Sequence, residues 1–256
     1  MLKKRIIPIQ LLSEGRLVKT KQFGPARDVG DPVASSKVYS AQQADELVFL
    51  NINRDSRSIA PMVELLERVS EVVFMPLALG GGITSFEDAE TLLRHGADKV
   101  VLDSVVYRDP ALITRVADRF GSQAVVVCVD VRRDGDEPDG EPRLYSDCGR
   151  RLEDVALDAH IAAIIAAGAG EILLQSIDRD GTMTGYDVPL LARVSATSPI
   201  PVIGAGGAGT YEHMCDAFTG SAVSALACGS LFNFGDNNPI RAKAFLSNYG
   251  LRFKVV

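Results

Sequence analysis

Short apolar runs recur eight times along the chain, each followed by a longer stretch in which apolar residues return every three or four positions. The runs fall at residues 5–11, 46–51, 75–79, 99–103, 124–130, 171–176, 201–205 and 223–228. Runs rich in Val, Ile and Leu without polar alternation are typical of parallel strands buried on both faces. The longer stretches carry helix-start signals. Asp31-Pro32 and Asp109-Pro110 each place a capping Asp before a Pro at the first helical position, and Ser85 with Asp88 has capping-box spacing. Eight strand–helix alternations predict an α/β fold.

The pattern repeats internally. PLALGGGITSFED (76–88) recurs as PVIGAGGAGTYEH (201–213), AQQADELVFLNINRD (41–55) as AAGAGEILLQSIDRD (166–180), and HGADKVVLDSVVY (95–107) as GSAVSALACGSLF (220–232), all at an offset of 125. RIIPIQLLSEGR (5–16) matches AVVVCVDVRRDG (124–135) at an offset of 119, so the first strand-to-helix loop of the second half is the longer one. A repeat of four units closes more naturally into a barrel than into an open doubly wound sheet. The expectation is one (β/α)8 TIM barrel over residues 1–256 with an internal two-fold half-barrel repeat, the halves spanning about 1–122 and 123–256.

Composition narrows the function. The 256 residues are 46% hydrophobic, enough for one such barrel. A net charge of -6 with no basic run argues against nucleic acid or an anionic membrane as the main partner. Cys128, Cys148, Cys215 and Cys228 lack metal-site or disulfide-framework spacing and are read as reduced thiols of a cytoplasmic protein. His95, His160 and His213 also lack ligand spacing, so neither a metal nor a cofactor is expected. The opening MLKKRIIPIQLL reads as a strand rather than a signal peptide, and no stretch reaches the ~20 apolar residues of a membrane span.

Two long segments, 12–30 and 131–151, follow the first and fifth strands and are read as loops at the C-terminal face, where barrel enzymes carry their chemistry. The first holds Lys19, either in a mobile lid or in an inert solvated loop. Gly80-Gly81-Gly82 ends the third strand and Gly206-Gly207-Ala208-Gly209 follows the seventh. Glycines there let backbone N–H groups approach an anion, and Asp103-Ser104 and Gly229-Ser230 are placed to complete the two cradles. A substrate with a phosphate at each end is implied; tight turns alone are the plainer reading. At the strand starts, Arg5, Glu46, Lys99 and Glu171 could form a charged ring at the N-terminal mouth, two cations satisfying two anions. A structural salt-bridge cluster would look the same.

RIIP, GDPV, ADELVFL, GGGI, GADKV, RFGSQ, GAGEILL, SIDRDGT, GYD and GGAG occur in the order seen in the cyclase subunit of imidazole glycerol phosphate synthase, which the chain resembles over its full length. The resemblance implies a (β/α)8 barrel paired with a glutaminase subunit whose ammonia passes through the barrel. That ammonia is added to a bisphosphorylated aminoimidazole carboxamide ribonucleotide, which is cyclised and cleaved. Arg5, Glu46, Lys99 and Glu171 match the family's ammonia gate, Asp98 its glutaminase interface, and Gly82, Gly181, Gly207, Gly229 and Ser230 phosphate-binding positions. Asp130 matches one of two catalytic aspartates. Leu11 stands in the place of the other, Asn51 where aspartate is usual, Asp103 where asparagine lies beside a phosphate, and Gln175 where threonine is favoured. These departures, with LVKTKQF (17–23), resemble divergent paralogues associated with amidino-sugar formation for surface polysaccharides such as lipopolysaccharide, in which ammonia goes to a third, amide-activating enzyme. The expectation is a subunit reassigned to that delivery. The family's own lyase reaction and a catalytically silent ammonia-conducting scaffold are the alternatives.

Overall fold

The computed structural model describes residues 3–53, 58–133 and 140–254. The acidic stretch within the second long segment therefore falls largely outside the described residues, as do Asp55 and the two terminal residues at each end. Each apolar run forms a barrel stave. They are β1 (Arg5–Ser13), β4 (Leu47–Asn51), β5 (Leu77–Gly80), β6 (Lys99–Leu102), β7 (Val125–Arg133), β10 (Glu171–Ser176), β11 (Val202–Ala205) and β12 (Ala225–Cys228). Neighbours in this series pair in parallel, and β12 pairs with β1 to close the cylinder. All strand starts thus face one end and all strand ends the other.

Side chains alternate across the staves and build two cores. Facing inward are Ile7, Val48, Ala78, Val101, Val126 and Leu173, with Ile203 and the alanines of β11 and β12. Facing outward is the larger core, including Ile6, Phe49, Leu79, Leu102, Val127 and Leu174, packed beneath the helices. Those helices are α1 (Pro32–Ala41), α2 (Ala60–Val69), α3 (Phe86–Arg94), α4 (Ala111–Phe120), α5 (Leu157–Ala166), α6 (Val188–Thr197), α7 (Tyr211–Thr219), α8 (Ser230–Asn233) and α9 (Pro239–Ser247). Asp31 caps α1 ahead of Pro32 as expected, accepting from the Ala34 N–H at 2.8 Å. Ser85 and Asp88 close a reciprocal capping box on α3. The Asp109-Pro110 reading needs correction. The α4 helix starts at Ala111 with no side-chain cap, and Asp109 instead pairs with Arg115 at 2.6 Å.

The two long segments are not plain loops. β1 runs on to Ser13 and carries an antiparallel extension through β2 (Arg16–Lys19) and β3 (Arg27–Gly30). β7 runs on to Arg133 and carries a matching one through β8 (Pro142–Ser146) and β9 (Arg151–Glu153). The half-barrel repeat therefore extends to the flaps that rise from the first and fifth staves. The other strand readings hold to within two residues at their ends, except at the C-terminal ends of these two staves; Glu46 lies just before β4 rather than in it.

Glycine is required where turns meet. Gly81 has φ +88°, and a Cβ there would overlap the Asn51 carbonyl at the end of the neighbouring stave. Gly81→Ala is expected to cost about 1–3 kcal/mol or more from backbone strain and the clash. Urea unfolding checks this; a loss no larger than that of a surface substitution would contradict the account.

Candidate active site

At the N-terminal mouth the four charges at the strand starts form a closed ring. Arg5 reaches Glu46 and Glu171, each at 3.0 Å, and Lys99 reaches the same two carboxylates at 2.8 and 2.9 Å. Cation and anion alternate around the barrel axis, which offsets the cost of taking four charges out of water. Glu46 is nearly sealed, its side chain 3% exposed. Burial pushes its carboxyl up despite the pull of Lys99 and Arg5, and its Oε1 has no hydrogen-bond partner among the described residues. Asp98 lies at the same end and accepts from the Leu77 N–H at 2.8 Å, pinning the start of β5. Asp45 does the same for Ile6 while pairing with Lys243. Above the ring lies the inward apolar core, which includes Ala78, Ala225 and Ala227.

The strand ends surround a cavity of about 410 Å³. It brings together every site residue expected at this face. Gly82, Asp103 and Ser104 line it from the first half, and Gly207, Gly229 and Ser230 from the second. Asp130, Gln175, Gly181 and Lys19 complete that set, and Leu11 and Asn51 also line the wall. Leu11 follows Ile7 and Ile9 on the inward face of β1, four staves from Asp130 on β7 and hence across the barrel from it.

The two cradles differ electrically. In the second half, Lys19 on β2 is 8% exposed, donates to the Ile9 carbonyl at 3.0 Å and lies so close to Gly229 that a Cβ there would overlap its ammonium. A solvated loop is thus ruled out for Lys19. Burial lowers its pKa to about 8, with Asp180 pulling the other way. In the first half, Ser104 Oγ donates to Asp103 Oδ2 at 3.0 Å and accepts from the Asp147 N–H at 2.9 Å. That hydroxyl is therefore engaged by the protein's own groups.

Asp130, 4% exposed, accepts from Cys128 Sγ at 3.4 Å. Burial pushes its carboxyl well above the usual range, and the nearby charge of Asp103 adds to the shift. Burial also pushes Asp103 up to about 7, against the Ser104 hydrogen bonds. Asp180 was not foreseen. It accepts from Thr20 and Gln175, both at 3.1 Å, fastening the β2 flap to the loop after β10, and burial raises its carboxyl. The repeated endings NINRD and SIDRD marked that loop, but only the fold turns Asp180 into the cavity. Arg108 and Cys128 also line it unforeseen.

Among the described residues, no cluster of His, Cys, Asp or Glu is arranged to hold a metal ion. All four cysteines are free. No helix of the described residues is long and apolar enough to cross a membrane.

The raised carboxyl of Asp103 predicts a pH dependence of stability. Below about pH 4 Asp103 is protonated whether the chain is folded or not. As pH rises from about 4 to 7 the unfolded chain releases that proton first, so the folded state loses stability. Asp103→Asn removes this penalty. The variant and the parent are expected to have similar stability near the acid end of that range, with the variant more stable by ~2–4 kcal/mol above about pH 7. Urea unfolding across the range tests it, and a pH-independent difference would contradict it.

Comparison with known proteins places this geometry in a family. The family model described as "Histidine biosynthesis protein" matches residues 5–238. The chain is 42% identical over 254 residues to the imidazole glycerol phosphate synthase subunit HisF of Geobacillus kaustophilus (strain HTA426), covering 99% of this chain and 100% of that protein. It is also 42% identical over 256 residues to the subunit of the same name from Hyphomonas neptunium (strain ATCC 15444), covering 100% of both. A barrel stave for each repeat unit, a cavity at the strand ends and full-length identity at this level agree: the chain belongs to the histidine biosynthesis protein family and is similar over its full length to HisF subunits of imidazole glycerol phosphate synthase.

Proposed function

We propose that the chain takes ammonia from a glutaminase subunit docked at the N-terminal face, passes it through the ring of Arg5, Glu46, Lys99 and Glu171, and uses it in the C-terminal cavity. The observation that carries this reading is the ring itself. Four nearly buried charges that cancel around the axis of a barrel leave a polar entrance through which a small neutral amine can pass without displacing a lone ion. Asp98, beside that mouth, belongs to the docking surface. In the cavity the glycine turns at Gly82, Gly207 and Gly229, with Gly181, Ser104 and Ser230, hold a phosphorylated substrate. Lys19 supplies a cation at the second-half end, and Asp130 serves as an acid–base group. The acceptor that best fits the named relatives is the bisphosphorylated ribonucleotide, with the lyase and cyclase steps of imidazole glycerol phosphate synthesis.

One observation favours a second reading. Leu11 cannot exchange a proton, and it occupies the wall across from Asp130. Under that reading the ammonia leaves for a separate amide-activating enzyme that builds a surface-polysaccharide sugar, and the barrel is a conduit.

The test is turnover by the purified chain with an ammonium salt and the bisphosphorylated ribonucleotide, the product followed by mass spectrometry. The first reading expects conversion, with Asp130→Asn lowering it ~10²–10⁴-fold. Absence of conversion by folded protein, with no gain on Leu11→Asp, would overturn it in favour of the conduit.

A further inference from the structure

Leu11 lines one wall of the cavity where the family resemblance implies a carboxyl group, and Asp103 lines another where it implies asparagine. Asp103 follows directly on β6 and Asp130 lies near the end of β7, and these staves are adjacent. Leu102 is level with Val127, which places Asp103 level with Cys128 and Asp130 two residues further along its stave. The alternation that turns Val101, Val126 and Cys128 inward turns both aspartates inward as well. Both line the same cavity. Asp103 uses only Oδ2 in a hydrogen bond, from Ser104, while its Oδ1 is buried and has no partner among the described residues. A buried oxygen with nothing to bond needs a proton or a ligand.

We propose that Asp103 and Asp130 act as one proton-sharing carboxyl pair on the β6–β7 wall, and that Asp103 is a second catalytic residue, filling the role that Leu11 cannot. This rests on the reading of the cavity as a site of ammonia-dependent chemistry.

The surroundings keep one proton on the pair. Burial raises both carboxyls, and the charge of Asp103 adds to the shift at Asp130, since two like charges in a desolvated site cannot both ionise freely. Cys128 from β7 and Tyr107 from the turn after β6 face them, both neutral because burial raises their own pKa values. Glu153 of β9 and Asp147 of the β8–β9 turn add negative charge near Asp103, and Asp180 adds it near Asp130. Arg108 also lines the cavity, and the buried cation Lys19 lies nearest Asp180 and Gly229. No cation pairs with either member of the dyad among the hydrogen bonds and ion pairs of the described residues.

Such a pair can run both proton transfers of an amination from one side. The ammonia lone pair attacks an electrophilic carbonyl carbon, forming the C–N bond while the carbonyl π pair moves to oxygen. The ionised member accepts a proton from nitrogen and the neutral member gives its proton to oxygen. A carbinolamine results, and the pair again holds one proton with its members exchanged. No further reagent is needed. The same arrangement suits the first-half cradle, because a pair that carries a single negative charge repels a phosphate less than two carboxylates would.

Two measurements test the pair on the full chain. The first is carbon NMR of protein labelled at the aspartate side-chain carboxyls, titrated with pH. One carboxyl is expected to stay protonated to about neutrality. In Asp103→Asn and in Asp130→Asn the remaining partner should titrate lower by roughly one pH unit or more. Independent titration, unchanged by loss of the partner, would overturn the proposal. The second is ammonium-dependent turnover of the bisphosphorylated ribonucleotide. Asp103→Asn is expected to lower kcat ~10²–10⁴-fold with KM little changed. A variant that keeps the parent's kcat and changes only KM would show that Asp103 merely adjoins a phosphate, overturning its catalytic role. If the parent chain itself gives no turnover, the acceptor assigned under Proposed function fails and the carboxyl titration alone decides the pair.

Discussion

Closure of the sheet is the constraint on which everything else depends. β1 pairs with β12 on one side and with β4 on the other, so all eight staves run parallel around one axis. A closed parallel barrel sends every second side chain inward and collects the strand starts at one end and the strand ends at the other. Charges at the starts of β1, β6 and β10, with Glu46 just before β4, then have no arrangement open to them other than a ring. Residues at the ends of β1, β6, β7 and β10 are brought around a single cavity although they are distant in sequence. The inward apolar layer lies between the charged ring and the polar cavity.

The two halves share a plan but differ in charge. Each begins with a long stave that carries an antiparallel flap, and each has a glycine turn after its third stave followed by a cradle after its fourth. The second-half cradle faces the buried ammonium of Lys19, whereas the first-half cradle contains the buried carboxyl of Asp103. A fixed cation suits a dianionic phosphate, and a carboxyl near neutrality suits one only when it holds a proton. The symmetry of the backbone therefore supports an asymmetric site, with buried carboxyl groups on the β6–β7 wall and an apolar leucine across from Asp130.

Much of this was legible in the sequence because the fold repeats. Matching stretches at a constant offset located six of the eight staves without reference to propensity, and the 171–176 run coincides with β10 to the residue. The flaps were read as loops because RLVK and RDVG are too short, and too mixed in polarity, to announce strands; they become strands only by pairing with an extended β1. At Asp109 the helix starts one residue later than the dipeptide predicts, with Pro110 rather than Asp109 at the N-cap, and the Asp109 carboxylate pairs with Arg115. Asp103 was noticed as a departure, yet its relation to Asp130 depends on two staves lying side by side, which no local pattern records. Asp180 was missed for the same reason, since it acts through Thr20 and Gln175 from other parts of the chain.

In the proposed function ammonia reaches the cavity from below, through the ring, and is consumed there. The most direct measurement is isotopic competition in the complex with a glutaminase subunit, using unlabelled glutamine, excess labelled ammonium in solution and the bisphosphorylated ribonucleotide as acceptor. The nitrogen in the product is expected to come from glutamine with little dilution by the labelled pool, and Lys99→Ala, which opens the ring, is expected to raise the labelled fraction. Product nitrogen carrying the isotopic composition of the bulk ammonium, with the ring intact, would contradict it.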